Sequence, residues 1–117
     1  MAVSVVGISG ANQSAPFDGN SAVPCEAYSG SGTSVSCSIS TNNAKDMIIG
    51  VFVVSGGTPG PLTAGAGFTI KTSTGNTGPA SGIEYEIANV TQTNSPVSVS
   101  WVTGGLQAVM IVDAIAG

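Results

Sequence analysis

The sequence predicts an all-β protein, an antiparallel β-sandwich of Ig-like or jelly-roll type with about seven strands. Three observations carry this reading. Valine and isoleucine together number 23 while leucine appears twice, the reverse of a helix-led composition. Apolar residues alternate with serine or glutamate over 33–40, 83–90 and 97–103, the period of a half-buried strand. The 17 glycines and the 27 serines plus threonines supply many turns and a hydroxyl-rich outer face. A chain of 117 residues makes one domain, residues 1–117, with a real core but little room for a spacious active-site cavity.

Taken in order, residues 2–8 read as a first strand. Val3, Val5, Val6 and Ile8 put apolar groups on both faces, as in a strand covered on both sides. Residues 9–32 read as irregular, punctuated by Pro16, Asp18-Gly19, Asn20 and Pro24, with Phe17 pinning the loop to the body. In 33–40, Val35, Cys37 and Ile39 point inward and Ser34, Ser36, Ser38 and Ser40 outward. Asp46 to Val54 is the longest apolar run. It reads as the buried central strand and is too short to cross a bilayer as a helix.

Residues 55–61 contain two glycines, two prolines and a third glycine between them and are no strand. Residues 62–71 read as one strand, bent or bulged at Gly65 and Gly67. A loop over 72–82 follows. In 83–90 the alternation places Ile83, Tyr85 and Ile87 inward and Glu84 and Glu86 outward. In 97–103 it places Val97, Val99 and Trp101 inward, and Thr103-Gly104-Gly105-Leu106 reads as a tight hairpin turn. Residues 106–115 form a second strand apolar on both faces.

Charge narrows the function. Only 7% of residues are charged, with no arginine and no histidine, where about 25% is ordinary. The cations are Lys45 and Lys71; the acids are Asp18, Glu26, Asp46, Glu84, Glu86 and Asp113. Nucleic-acid binding lacks its basic footprint, and histidine-based catalysis or metal binding is excluded. Low charge with high apolar content also excludes intrinsic disorder. A surface of Ser, Thr, Asn and Gly suits a harsh exterior, or a chain mostly covered by copies of itself. No cofactor and no enzymatic activity are expected.

Cys25 and Cys37 lie twelve positions apart. They form either a disulfide or two buried thiols. An oxidising exterior favours the bridge, which would tie the long loop to the sandwich. No zinc spacing is present. After Met1, residues 2–8 carry no basic n-region, so the start is no intact signal peptide. Either a leader was replaced by a start Met or export follows another route, as for a virion protein released by lysis.

The remaining candidates are few. Glu84 and Glu86 form an i,i+2 carboxylate pair on one strand face, which suits solvation better than glycoside chemistry. A weak calcium site would need Asp18 or Asp46 to converge with them. Asp113 interrupts an apolar strand on the side of Val109, Ile111 and Ile115. It pairs with Lys45 or Lys71, as a salt bridge or an isopeptide crosslink, or accepts backbone and hydroxyl hydrogen bonds, or marks the strand's exit to solvent. Asn12 and Asn89 head N-glycosylation acceptor patterns. The glycine-rich stretches lack the lysine and helix of a phosphate loop. Trp101 and Tyr85 face inward and pack rather than form a sugar platform.

Several segments resemble a β-sandwich module of secreted and cell-surface proteins of archaea and bacteria. They are Ser9-Gly10-Ala11-Asn12, Ala15-Pro16-Phe17-Asp18, Thr41 to Asp46, Ala64 to Thr69, Glu84-Tyr85-Glu86-Ile87 and Ala108 to Ile115, the last most similar to archaeal members. The resemblance implies an extracellular structural role. The module has further strands upstream of the segment matched by residues 2–8, so the sandwich here is expected to lack a strand. A neighbouring subunit can fill such a groove by strand addition, and repetition gives a ring or filament. The expected function is therefore a structural subunit of an extracellular filament, pilus-like thread or surface layer. It would be a homo-oligomer or polymer with Val3, Val5, Val6 and Ile8 as the exchanged strand. The alternatives are a virion capsid protein and a carbohydrate-binding or adhesion module.

Overall fold

The alternating and two-sided patterns resolve into two antiparallel sheets packed face to face. A computed structural model describes residues 3–74 and 77–117. Ala2 of the predicted first strand, with Met1, and Gly75-Asn76 of the predicted loop 72–82 lie outside the described residues. Among the described residues there are eight strands and no helix. They are β1 (Cys25–Gly32), β2 (Ser34–Ile39), β3 (Met47–Ser55), β4 (Thr63–Ala64), β5 (Thr69–Ser73), β6 (Ala80–Ile87), β7 (Ser95–Ser100) and β8 (Leu106–Ile115). One sheet has the order β1-β8-β3-β6-β5 and the other β2-β7-β4. The all-β sandwich expected from composition is the fold observed.

The apolar run is central, as its β-branched content predicts. β3 pairs with β8 on one side and β6 on the other. Because successive side chains alternate faces, Ile48, Phe52 and Val54 point into the sandwich and are fully buried. They meet Met110 and Val112 of β8, Val35 and Ile39 of β2, and Val97 and Val99 of β7. The serines of β2 stay exposed on the opposite face, as the strict alternation requires. Trp101 is buried, and its indole N–H donates to the Gly32 carbonyl at 3.0 Å.

Several expectations are corrected. Val3, Val5, Val6 and Ile8 belong to no strand of either sheet; the segment is an arm laid against the outside of the larger sheet. The stretch 25–32, read as irregular, is the edge strand β1, paired with β8 from Cys25↔Val112 to Gly32↔Leu106. Its serines and glycines carry no strand signal of their own, and the ladder to β8 makes the strand. The single strand predicted over 62–71 is two, β4 and β5, in different sheets. The chain turns the corner at Gly65-Ala66-Gly67, where Gly67 holds φ +85°, a backbone state that favours glycine. Thr103 to Leu106 is no hairpin: β7 and β8 lie in different sheets, and the connection crosses between them. Phe17 is exposed, and the loop is held by backbone instead, with Asp18 N–H on Ala114 O and Ala116 N–H on Pro16 O.

The largest correction concerns β6. Gly82 pairs with Phe52, Glu84 with Gly50 and Glu86 with Ile48, so the two glutamates face inward and Ile83, Tyr85 and Ile87 face out. Glycines set this register. An added Cβ at Gly82 would lie 2.6 Å from Phe52 Cζ, and one at Gly50 would lie 3.2 Å from Glu84 Cγ. The bare backbone at each position makes room for the large side chain opposite.

Candidate functional site

The outer face of the five-stranded sheet is apolar, which is unusual for an antiparallel sheet with one face toward water. From the register, one row across it reads Ile115, Met47, Ile87; the next Asp113, Ile49, Tyr85; the next Ile111, Val51, Ile83; the next Val109, Val53, Ser81. The arm lies diagonally over the β6 and β5 half. Val5, Val6 and Ile8 form a cleft of about 450 Å³ with Ile49, Ile83 and Tyr85 beneath. The arm joins the body where Asn12 N–H donates to Ala116 O at 2.9 Å. Val3 is 64% and Val5 80% exposed, so the arm hides the sheet better than it hides itself.

A second opening, about 320 Å³, lies between the sheets along Ser95 to Ser98, lined by Ile39, Ile48, Phe68, Val97 and Glu86. Its cause is the shortness of β4. That strand pairs with β7 only at Thr63↔Ser100 and Ala64↔Val99 before the chain turns away. The lower half of β7 therefore has β2 on one side and no named strand on the other.

Glu84 is fully buried. Its Oε2 accepts the Gly65 N–H at 3.2 Å, while Oε1 is buried without a partner. Burial pushes its carboxyl up to about 7, opposed in part by the Gly65 hydrogen bond. An acid held neutral in this way tolerates the interior better than a carboxylate does.

Asp18 and Asp46 meet each other, away from the glutamates. Asp18 Oδ2 accepts the backbone N–H groups of Asn42 and Asn43 and the Asn43 amide at 2.8, 3.0 and 2.9 Å, and Oδ1 accepts Asn20 N–H at 2.7 Å. Burial works to raise this carboxyl, but the Asn20 donor, Asp46 and the Asn42 and Asn43 donors outweigh it and hold Asp18 low. Asp46 is buried against Asp18, with the Asn43 side chain beside it. Burial first, and the neighbouring Asp18 carboxylate second, push it up to about 6. A proton on Asp46 donated to Asp18 accounts for both. This pair locks the loop at residues 18–20 to the turn at 42–46, with Asp18 as a hydrogen-bonded anion whose lone pairs are already used. Among the described residues no cluster of three or more acidic or sulfur ligands gathers for a metal.

The other sequence candidates are scattered. The disulfide joins Cys25 to Cys37 with Cα atoms 6.2 Å apart. With Cys25 on β1 and Cys37 on β2, it ties sheet to sheet rather than a loop to the body. Such a bond is compatible with an oxidising location. Asp113 is half-buried on the outer face, where its Oδ1 accepts the Ala114 N–H at 2.8 Å; Lys71 stands three strands away. Asn12 is exposed, and its Oδ1 caps the turn through Ser14 and Ala15 N–H. Asn89 is exposed after β6. Tyr85 is half-buried under the arm, contrary to its expected place in the core. No helix among the described residues is long and apolar enough to cross a membrane. The outer-face residues Val51, Val53, Val109 and Ile111 were legible as the second faces of two-sided strands. Ile83 and Tyr85 were missed, and the opposed glycines Gly50 and Gly82 are the signal that points to their orientation. Comparison with family models, with curated proteins and with solved structures yields no match.

Proposed function

We propose that this chain is a structural subunit of an extracellular filament or surface layer that assembles by β-strand complementation, with Val3, Val5, Val6 and Ile8 as the donated segment. One observation carries the reading: an apolar arm rests outside both sheets with Val3 and Val5 in water. Exposing Val3 and Val5 forgoes roughly 1–2 kcal/mol each relative to burial, which a neighbouring molecule recovers. The receiving place is the opening along Ser95 to Ser98, where the three-stranded sheet is short of a strand and apolar side chains line the gap. An arm entering there adds backbone hydrogen bonds to the free side of β7 and buries alternate side chains against Ile39 and Val97. The contact is head-to-tail, so it propagates. Low charge supports the reading, because 7% charged residues leave little repulsion between closely packed copies.

Negative-stain electron microscopy and sedimentation of the full chain test this. Filaments or large rings are expected, and Val5→Asp with Val6→Asp is expected to reduce them to small species. A chain that remains monomeric at high concentration overturns the reading.

A further inference from the structure

The arm covers only half of the outer face. Beside it, Val51 pairs with Ile111 and Val53 with Val109, a block of four β-branched side chains each between 43% and 50% exposed. Tyr28 extends the block onto β1, opposite Val109, and is itself exposed.

Two opposite charges on this face share one row, while Asp113 stands in the next row beside Ile49. Glu26 on β1 stands opposite Ile111, which stands opposite Val51. On the far side of Val51 come Ile83 and then Thr72 of β5. Lys71 lies at the irregularity between Ile70 and Thr72 and lines the cleft on this face. An acid therefore sits at one edge of the sheet and a cation at the other, at the same height, with Val51 midway between them. A two-fold axis running along β3, between two such faces, lays the β5 edge of each sheet over the β1 edge of the other. It sets Val51 against its own copy and Ile111 against Ile83. It also brings Lys71 over Glu26 of the partner subunit, and the symmetry repeats that pair.

We infer that the outer face of the five-stranded sheet is an isologous interface with a second copy of this chain, registered by reciprocal Lys71–Glu26 pairs around the Val51, Val53, Val109 and Ile111 block. The inference rests on the strand-donation reading in one respect: the arm must leave its own sheet before Ile83 and Tyr85 can be covered by a partner. Five strands about 4.8 Å apart and eight residues at about 3.3 Å give a face of roughly 500 Å². Two faces bury roughly 1,000 Å², the lower end of the range for a biological contact. Aligned sheets packing about 10 Å apart present their side chains in this way. Arm donation then extends a chain of subunits, and face pairing joins two chains side by side.

The test uses the full chain with Val5→Ser, Val6→Ser and Ile8→Ser, which weakens the arm's apolar hold on any surface, followed by sedimentation velocity. A discrete dimer is expected. Lys71→Glu or Glu26→Lys alone, in that background, is expected to weaken the dimer about tenfold in Kd, and the two together to restore it. Trp101 fluorescence verifies folding of each variant. If the arm substitutions leave monomers only, or if the double reversal fails to restore what the single ones lose, face pairing is overturned while donation stands. If the unsubstituted chain is already a dimer, indifferent to the arm yet broken by single charge reversal, donation is overturned and face pairing stands.

Discussion

Glu84→Gln is expected to stabilise the protein at alkaline pH and to remove much of its pH dependence. Glu84 is fully buried, with one oxygen on the Gly65 N–H and the other without a partner. Its carboxyl is raised from an ordinary 4.5 to about 7. An acid whose folded value exceeds its unfolded value binds more protons when folded, so stability falls as pH rises. The contribution is fully present below about 4.5 and is lost as pH passes about 7. At about 1.4 kcal/mol per pH unit, the rise from 4.5 to about 7 corresponds to a loss of about 3 kcal/mol. Glutamine keeps the shape and can still accept the Gly65 N–H, but it has no proton to lose.

Urea unfolding at about pH 4 and about pH 8.5, read by Trp101 emission in dilute solution, gives the comparison. The unsubstituted chain should lose stability between the two conditions. Glu84→Gln should lose about 3 kcal/mol less, a difference of roughly 1–3 M in midpoint at ordinary urea slopes. Asp46, raised to about 6, acts in the same direction over a lower range. Asp18, held low, acts oppositely, its contribution being lost as pH falls below the ordinary aspartate value. Asp46→Asn therefore serves as the control that leaves the Glu84 portion in place. Equal pH slopes for Glu84→Gln and the unsubstituted chain would refute the buried neutral glutamic acid.

Two further outcomes follow from the packing. Replacing both Cys25 and Cys37 by serine removes a link with a sequence separation of 12 and should cost about 3 kcal/mol, measured as a lower urea midpoint that matches the reduced native chain. Gly82→Val should be more damaging than an average core change, because even its Cβ would lie 2.6 Å from Phe52 Cζ and 2.9 Å from the Thr72 carbonyl. A cost of about 3 kcal/mol or failure to fold is expected, and a normal unfolding midpoint would show that β6 does not sit on Phe52 in this register.

Fold class, the central place of 46–54 and the inward Cys37 and Trp101 were all legible because each rests on local chemistry. β-branched residues favour extended backbone, and strict alternation selects one face. Strand β1 was illegible for the opposite reason: Ser29, Gly30, Ser31 and Gly32 have no extended preference, and the neighbour β8 imposes the conformation. The arm was misread as a strand because Val3, Val5, Val6 and Ile8 satisfy every local criterion for one. What they lack in this structure is an edge to pair with.

The glutamates of β6 show where local reasoning ends. Ile83, Tyr85 and Ile87 alternate with Gly82, Glu84 and Glu86 in a pattern whose period is visible in the chain, yet period alone does not say which face is inside. That choice is made across the sheet. Phe52 needs the space above Gly82, Gly50 leaves space for Glu84, and the apolar alternate face is acceptable because an arm lies over it. Composition and periodicity thus establish that this chain makes strands and carries more apolar surface than two small sheets can hide. Which surface is left over depends on contacts between residues distant in sequence, because burial is a property of the assembled layers and not of any one strand.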